Sequence, residues 1–233
     1  MNQLDIVNKI LRRLRGQDGE VATVAEDAYS QLIAEFVNEG IEEVQSAYLW
    51  SSLEQEVEFD TTVDVAEYDL QASTSDNSMM KLADGAAQFF IYEGAEFKQK
   101  PLLVAGMDID KATYEDPDHS ATPTMFSVRR NATQDGLEIK LYPIPDKVYT
   151  VKTKIWIPQE HMEIDGSDDA TDILVPWEPV FAYAFMTALN ERGEEMGEPG
   201  NLAERRFINA LGAAIELEIS YLGAANVYEF WRD

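Results

Sequence analysis

The chain has 233 residues, with 44 acidic against 18 basic side chains, a formal net charge of -26, no cysteine and two histidines. That length buries a core without covalent staples, and the lack of cysteine excludes disulfides, thiolate nucleophiles and zinc–thiolate sites. Residues 1–50, 51–160 and 161–233 carry -5, -10 and -11, and Gly16–Met80 holds sixteen acids and no Lys or Arg, so the whole surface repels phosphate and a DNA-gripping role is disfavoured.

Asn2–Arg15 reads as a helix with Leu4, Val7, Leu11 and Leu14 on one face. Lys9, Arg12, Arg13 and Arg15 gather toward its C-terminus, where cations suit the dipole, and Gly16–Gly19 ends it. Its basic residues follow the apolar ones, unlike a signal peptide, and no apolar run in the chain is long enough to span a bilayer, so no membrane association is expected. Thr23-Val24-Ala25-Glu26 is written as a capping box that opens a long helix running to Tyr48. Tyr29, Leu32, Ile33, Phe36, Val37, Gly40, Ile41, Val44 and Tyr48 fall on one side of it. Asp27, Glu35, Glu39 and Glu42 fall on the other, with Glu43 at the edge.

From Ser52 to Pro158 the pattern changes to short alternating runs, the mark of an antiparallel sheet. Val57 and Phe59 with Tyr68 and Leu70 predict a first hairpin across Thr61–Ala66. Strands follow at Phe89–Tyr92, near Phe97, and at Thr124–Arg130, Leu137–Tyr142 and Val148–Trp156; Pro101–Val104 must be an edge or a bend, and Met107–Tyr114 a short helix. Gln134–Gly136 and Ile144–Asp146 read as turns. In the last strand Tyr149, Val151, Thr153 and Ile155 point to one face, and Thr150, Lys152 and Lys154 to the other.

His161–Asp172 is an acidic loop. Helix resumes at Pro176-Trp177-Glu178-Pro179; Val180–Leu189 is apolar nearly all round, which predicts a buried helix, and Gly193 stops it. After a Gly- and Pro-bearing connector, Asn201–Glu204 caps a final helix with the stripe Phe207, Ile208, Leu211, Ile215 and Leu222, ended by Gly223–Asn226. The order predicts an α+β protein. An antiparallel helical bundle is built from 1–50 and 173–233, and 51–172 forms an inserted antiparallel β-sheet domain, barrel- or sandwich-like, with an acidic return loop.

No arrangement in the chain carries catalysis: there is no GxSxG elbow, P-loop, HExxH or GxGxxG, so no enzyme activity and no cofactor is expected. His119 and His161 stand apart in polar, acidic stretches. Glu163, Asp165, Asp168, Asp169 and Asp172 crowd one loop but miss the EF-hand spacing, so no metal site is expected there. Phe89, Phe90 and Tyr92 leave a second reading open, a glycan-binding virion or cell-surface module that uses strand aromatics. Adaptation of a cytosolic protein to a saline habitat is a third.

Asn38-Glu39-Gly40-Ile41-Glu42-Glu43-Val44-Gln45, ending in Tyr48-Leu49-Trp50 and passing into a Glu/Phe strand, resembles the N-terminal signature of tailed-phage head-to-tail adaptor proteins. In that family an N-E-(A/G)-x-x-x-(I/V)-Q helix enters an inserted sheet domain in the same way. Leu141–Asp146 before Tyr149-Thr150-Val151, and Asp172–Pro176 before the buried helix, agree with it. Ile6–Leu11 with its Gly-rich exit resembles the opening of the tail tubular protein A adaptors of short-tailed phages. The sequence departs from the pattern at Trp177-Glu178-Pro179, where a more ordinary helix start is expected.

The resemblance implies a non-enzymatic virion protein at the head-tail junction, made in the host cytoplasm. It implies a homo-oligomeric ring, typically a dodecamer, beneath the portal protein, with the tail nozzle or tube protein attached below. It also gives the charge a reason: genomic DNA slides without specific binding through a ring lined by acids, for which Asp27, Glu35, Glu39 and Glu42, or the loop Glu163–Asp172, are the candidates. Val227, Tyr228, Phe230 and Trp231 lie beyond the last helix's own stripe. Family C-terminal segments dock on the portal, so these four are the candidate partner interface.

Overall fold

Asn2 opens the first helix, α1 (Gln3–Arg15), with a capping box. Its side-chain oxygen accepts from the Asp5 N–H at 2.8 Å while the Asp5 carboxylate faces the Asn2 N–H. The buried stripe is Gln3, Ile6, Val7, Ile10 and Leu11. It is therefore rotated from the predicted one, with Leu4 and Leu14 only half-buried at its margins. The computed structural model describes residues 1–16, 19–70, 81–82, 89–93, 96–101, 103–104, 106–132, 136–193 and 198–229, with backbone alone at 81–82, at the described positions of 93–108, and at 198–200 and 222–229.

The long helix, α2 (Ala28–Ala47), starts later than the sequence pattern predicts. Val24–Glu26 is a separate 3-10 turn, and the Glu26 carboxylate accepts from the Ala22 N–H at 2.6 Å instead of reaching back to Thr23. Asp27 takes the cap. Its carboxylate accepts from the Ser30 N–H at 2.6 Å, the Ser30 hydroxyl faces the Asp27 N–H, and that same buried hydroxyl donates to the Val24 carbonyl at 2.7 Å. Two reciprocal bonds plus a buried serine outcompete Thr23.

The chain divides into two compact units, Met1–Leu53 with His161–Asp233, and Glu54–Glu160. The acidic segment after His161 thus groups with the helices. In this first unit α2 packs on α1 and on α4 (Trp177–Glu191), and α4 packs on α5 (Glu198–Glu229). Helix α4 begins at Trp177 despite Pro179, because a proline in the first turn has no intrahelical N–H bond to lose. Val180, Phe181, Ala182, Ala184, Ala188 and Leu189 are buried, while Tyr183, Phe185, Met186 and Thr187 are half-buried, so the predicted buried helix keeps one partly open side. Helix α5 starts at Glu198, before the predicted Asn201 cap, and continues through Gly223 to Glu229 rather than ending at Gly223–Asn226.

The second half of α2 holds the unit together. Gly40 sits so close to α4 that a Cβ there would lie 3.0 Å from the Val180 carbonyl and 3.4 Å from the Tyr183 ring, so the helices approach as they do only because the side chain is absent. Asn38, 2% exposed, reads both polar groups of one backbone residue: its Nδ2 donates to the Met162 carbonyl at 2.8 Å and its Oδ1 accepts from the Met162 N–H at 3.2 Å. Trp50, 1% exposed, donates its indole N–H to the Val44 carbonyl at 2.7 Å. The chain is therefore pinned to α2 both just before it leaves at Leu53 and just after it returns at His161.

The second unit contains β1 (Glu54–Asp60), β2 (Glu67–Leu70), β3 (Lys81–Leu82), β4 (Phe90–Glu93), β5 (Glu96–Pro101) and β6 (Leu103–Val104), then α3 (Gly106–Glu115). It continues with β7 (Ser120–Ala121), β8 (Met125–Arg130), β9 (Leu137–Tyr142), β10 (Ile144–Pro145) and β11 (Thr150–Trp156). One sheet runs β1-β11-β4-β5 with β3 also on β11, and another runs β2-β9-β8-β6. The pairing is antiparallel except for β6 with β8 and β10 with β7, and neither sheet closes into a barrel. β1 and β11 pair along their full length from Glu54↔Trp156 to Asp60↔Thr150, so the unit's first and last strands are neighbours.

The predicted first hairpin does not form, since β1 pairs with β11 and β2 with β9. The corner between them carries Asp64 at φ 63 with its N–H on the Pro145 carbonyl, and the Tyr68 hydroxyl donates to the Val65 carbonyl at 2.6 Å. That corner passes the chain from one sheet to the other, and Phe59 and Tyr68 meet by ring contact, centroids 5.3 Å apart. Pro101 lies on β5, an edge strand, where its missing N–H does no harm. Ile144–Pro145, expected as a turn, is a two-residue parallel pairing, and Gln134–Asp135 lie outside the described residues. The core of the unit is Leu70, Phe89, Ile91, Phe126, Leu137, Ile139, Leu141, Tyr149, Val151, Ile155 and Ile157.

Replacing Asn38 by Leu removes both partners of Met162 while keeping the volume. Each buried backbone group left unpaired costs about 1–3 kcal/mol, so Asn38→Leu is expected to lower unfolding stability by roughly 2–4 kcal/mol and to speed hydrogen exchange at the Met162 amide first. Urea melts and amide exchange read both; unchanged exchange at Met162 would show that the clamp carries no stability.

Candidate interaction surfaces

The four acids read as one face of α2 do different work. Asp27 is the helix cap, with Arg15 Nη1 3.4 Å from its carboxylate. The Ser30 N–H holds its pKa below the usual aspartate value, assisted by Tyr29 and Arg15 against the opposing effect of burial. Glu35 is half-buried, its Oε2 3.4 Å from His161 Nε2, and the Asn38 amide lies 3.3 Å from the other ring nitrogen. With an amide N–H facing Nδ1, the ring proton sits on Nε2 toward Glu35. Glu39 and Glu42 are exposed, as is Glu43, and none of the three has an ion-pair partner among the described residues. Spaced at three and four residues they share one face and repel one another. Tyr183 of α4 lies beside them, its pKa raised by burial first and then by Glu39, Glu43 and Glu42.

The acidic loop is stitched down from within. The Asp168 carboxylate accepts from the Glu163 N–H at 2.8 Å and from the Thr171 hydroxyl at 3.0 Å, and Asp165 accepts from the Ser167 N–H at 2.9 Å. Asp169 accepts from the Val24 N–H at 3.1 Å while its carbonyl accepts from the Leu4 N–H at 3.2 Å, and Asp172 lies 3.3 Å from the Met1 amine. Gly166, at φ 91, leaves room for Thr23, whose Oγ1 would lie 2.5 Å from any Cβ. These acids serve the loop's own turns and its joints to α1 and the Thr23 segment. Among the described residues no group of three or more His, Asp or Glu side chains is placed to hold a metal ion.

On another side of α4 the charge is reversed. Lys9 Nζ lies 3.7 Å from the Trp177 ring centre and 5.2 Å from that of Phe181; Arg13 stands 4.7 Å over Phe181 and 5.6 Å over Phe185, and Arg206 of α5 stands 5.4 Å over Phe181. The aromatics recur every fourth residue along α4 and so form one ridge. Burial and then Arg13 push Lys9 below the usual lysine value, with Arg206 acting the same way and Glu178 opposing; burial and then Arg206 lower Arg13. Ring faces contribute about 0.5–1 kcal/mol per cation at such exposed positions, yet no carboxylate of a described residue ion-pairs with any of the three. This patch escaped the sequence reading because its cations come from both ends of the chain; the signal was Trp177, Phe181 and Phe185 at four-residue spacing.

Helix α5 leaves large apolar side chains in the open. Leu202, Ile208, Leu217, Ile219 and Tyr221 are each more than half exposed, so Ile208, expected in the buried stripe, is not in it. The side facing α4 is instead set by Ala203, 5% exposed, and Phe207, whose ring meets Tyr183 edge-on at 5.3 Å. Of the candidate tail, Val227 and Tyr228 lie on the backbone of α5, while their side chains, and Phe230 and Trp231 entirely, fall outside the described residues.

The Asp27 cap has a pH signature. Its folded pKa is depressed, so its stabilisation is complete above the unfolded value near 4 and is lost as pH falls through the folded value. Asp27→Ala is expected to cost about 1 kcal/mol near pH 7, and thermal melts of the two proteins should converge as pH drops below about 4. A gap that does not narrow as pH falls below the unfolded value would contradict a carboxylate cap.

A family model described as SU10 adaptor protein matches residues 1–227. No match is found among curated proteins. The match spans both units, from the α1 cap through the Asn38–Gly40 segment to α5, and the chain belongs to the SU10 adaptor protein family, a family of phage structural adaptors.

Proposed function

We propose that this protein is a head-to-tail adaptor that assembles as a ring, joins the portal to the tail nozzle or tube, and lines the channel through which the genome passes. The observation that carries this reading is α5, a 32-residue helix with five large apolar side chains exposed in a chain of charge -26. A solitary soluble protein gains nothing from such a surface, whereas a subunit does. The channel role rests on the net charge of -26, spread along the whole chain: a surface so rich in acids presents DNA with charge to slide past and little to grip. Asp27 and Glu35 already have structural partners, and they contribute to that field without being free for it.

The glycan-binding reading loses support from the strand aromatics. Phe89 is fully buried with its ring 4.2 Å from Phe126, and Phe90 and Tyr92 are half-buried. They leave no exposed platform.

Mutual repulsion between highly acidic copies opposes spontaneous assembly, and salt weakens that opposition. The purified protein is expected to sediment as a monomer at low salt and to form rings when portal is added, which electron micrographs of the mixture would display. A stable ring at low salt without portal would show that repulsion does not control assembly. In the same mixture, a chain lacking Val227–Asp233 is expected to melt as wild type and fail to attach to portal. Attachment by the truncated chain would remove the tail from the portal contact.

A further inference from the structure

We propose that Lys9, Arg13 and Arg206, arrayed along Trp177, Phe181 and Phe185, receive the Glu39–Glu42–Glu43 face of α2 from a second copy of this chain. This assignment rests on the ring reading above and names the surfaces that would build it.

Each patch is unfinished within one chain. The three cations crowd one another over aromatic faces, and no carboxylate of a described residue pairs with them. The three carboxylates crowd one another on α2, again without a cation from any described residue. Several other cations in the same molecule do hold carboxylates: Arg12 holds Glu20, Arg15 holds Asp27, Arg129 holds Glu67 and Glu138, and Lys152 holds Glu56 and Glu58. With acids in such excess, a cluster of unpaired cations is not a matter of supply. Trp177, 37% exposed beside Lys9, adds the kind of large flat side chain that anchors interfaces.

The two patches cannot meet within one copy. Phe181 supports the cations and Tyr183 lies beside the acids; two residues apart on a helix, they point about 200° from each other. Helix α2 carries no basic residue, and every basic residue between Met1 and Leu53 is on α1. One chain thus offers a cationic and an anionic face in different directions. Such a head-to-tail contact leaves one free face of each sign after every addition, and it closes into a ring when the rotation per subunit permits.

A charge swap tests the pairing in the full-length protein. Arg13→Glu with Arg206→Glu makes both faces acidic, and Glu39→Arg with Glu42→Arg makes both basic. Each variant alone is expected to lose portal-templated assembly at least about tenfold, read by sedimentation, with its melting transition retained. An equimolar mixture is expected to assemble again, because every junction in an alternating ring is complementary. Glutamine at Arg13 and Arg206 serves as the milder variant should glutamate disturb the aromatic ridge, and it is expected to weaken assembly less.

Wild-type assembly on portal with no loss in either swap, or with no rescue in the mixture, overturns the proposed contact and leaves the adaptor reading standing. Association of the mixture when wild type ignores portal keeps the contact and overturns the portal-templated ring.

Discussion

Two reciprocal hydrogen bonds between the Asn38 amide and the backbone of Met162 are what the helical unit depends on, because they fix the returning chain to the helix it left. The residues that make this possible lie within one stretch of α2. Asn38 holds the return, Gly40 admits α4 to van der Waals distance, and the Val44 carbonyl takes the Trp50 indole at the exit. An apolar residue at 38 would leave Met162 unpaired, and any side chain at 40 would push on the Val180 carbonyl. The same device recurs at α1, where Asn8 donates to the Val21 carbonyl at 3.0 Å and accepts from the Val21 N–H at 2.8 Å. Asparagine suits both places, since its amide is donor and acceptor at the spacing a single backbone residue presents.

This clamp explains why an N-E-G-x-x-x-V-Q pattern precedes a long insertion. An insertion must leave and re-enter its host without loosening it, and here both crossings are tied to one helix. The insertion meets the same demand from its own side. Its first and last strands pair in full register, so its two ends emerge together and the central unit completes its own sheets between them.

Much of the architecture was legible because it rests on periodicity. The helix–sheet–helix order and the alternation of β11 follow directly from side-chain spacing, and α4 is buried on most of its sides, with Tyr183, Phe185, Met186 and Thr187 half-buried. Local chemistry was harder. The Thr23–Glu26 box is genuine in its letters, yet Asp27 and Ser30 make more bonds, a competition visible only once Ser30 is seen to bury its hydroxyl on Val24. The β1–β2 hairpin failed because strand pairing was inferred from neighbourhood, whereas Asp64 and Tyr68 build a corner between sheets. The acidic loop was read only as a crowd of charge because charge count says nothing about direction; its Asp165, Asp168 and Asp169 carboxylates and several of its carbonyls in fact close its turns and joints. The cation ridge was illegible for another reason, since Lys9, Arg13 and Arg206 meet only after folding.

The two units solve the excess of acid in opposite ways. In the sheets two cations are each shared between acids: Arg129 lies opposite Glu138 on the neighbouring strand and also reaches Glu67, and Lys152 lies opposite Glu58 and also reaches Glu56. Pairs opposite one another across a ladder contribute a few tenths of a kcal/mol to about 1 kcal/mol, so distributing scarce cations over acid pairs gives the most stability per base. In the helical unit three cations are instead grouped on aromatic faces, where burial first, and then the neighbouring cations, lower the proton affinity of Lys9 and Arg13. Grouping like charges is the less stable use of them in an isolated chain, and repulsion on the α2 face adds to that cost. A fold that shares Arg129 and Lys152 between two acids each gains nothing in its own stability by grouping these three without a carboxylate of a described residue. Their arrangement becomes favourable only when an anionic surface from outside the chain is set against them.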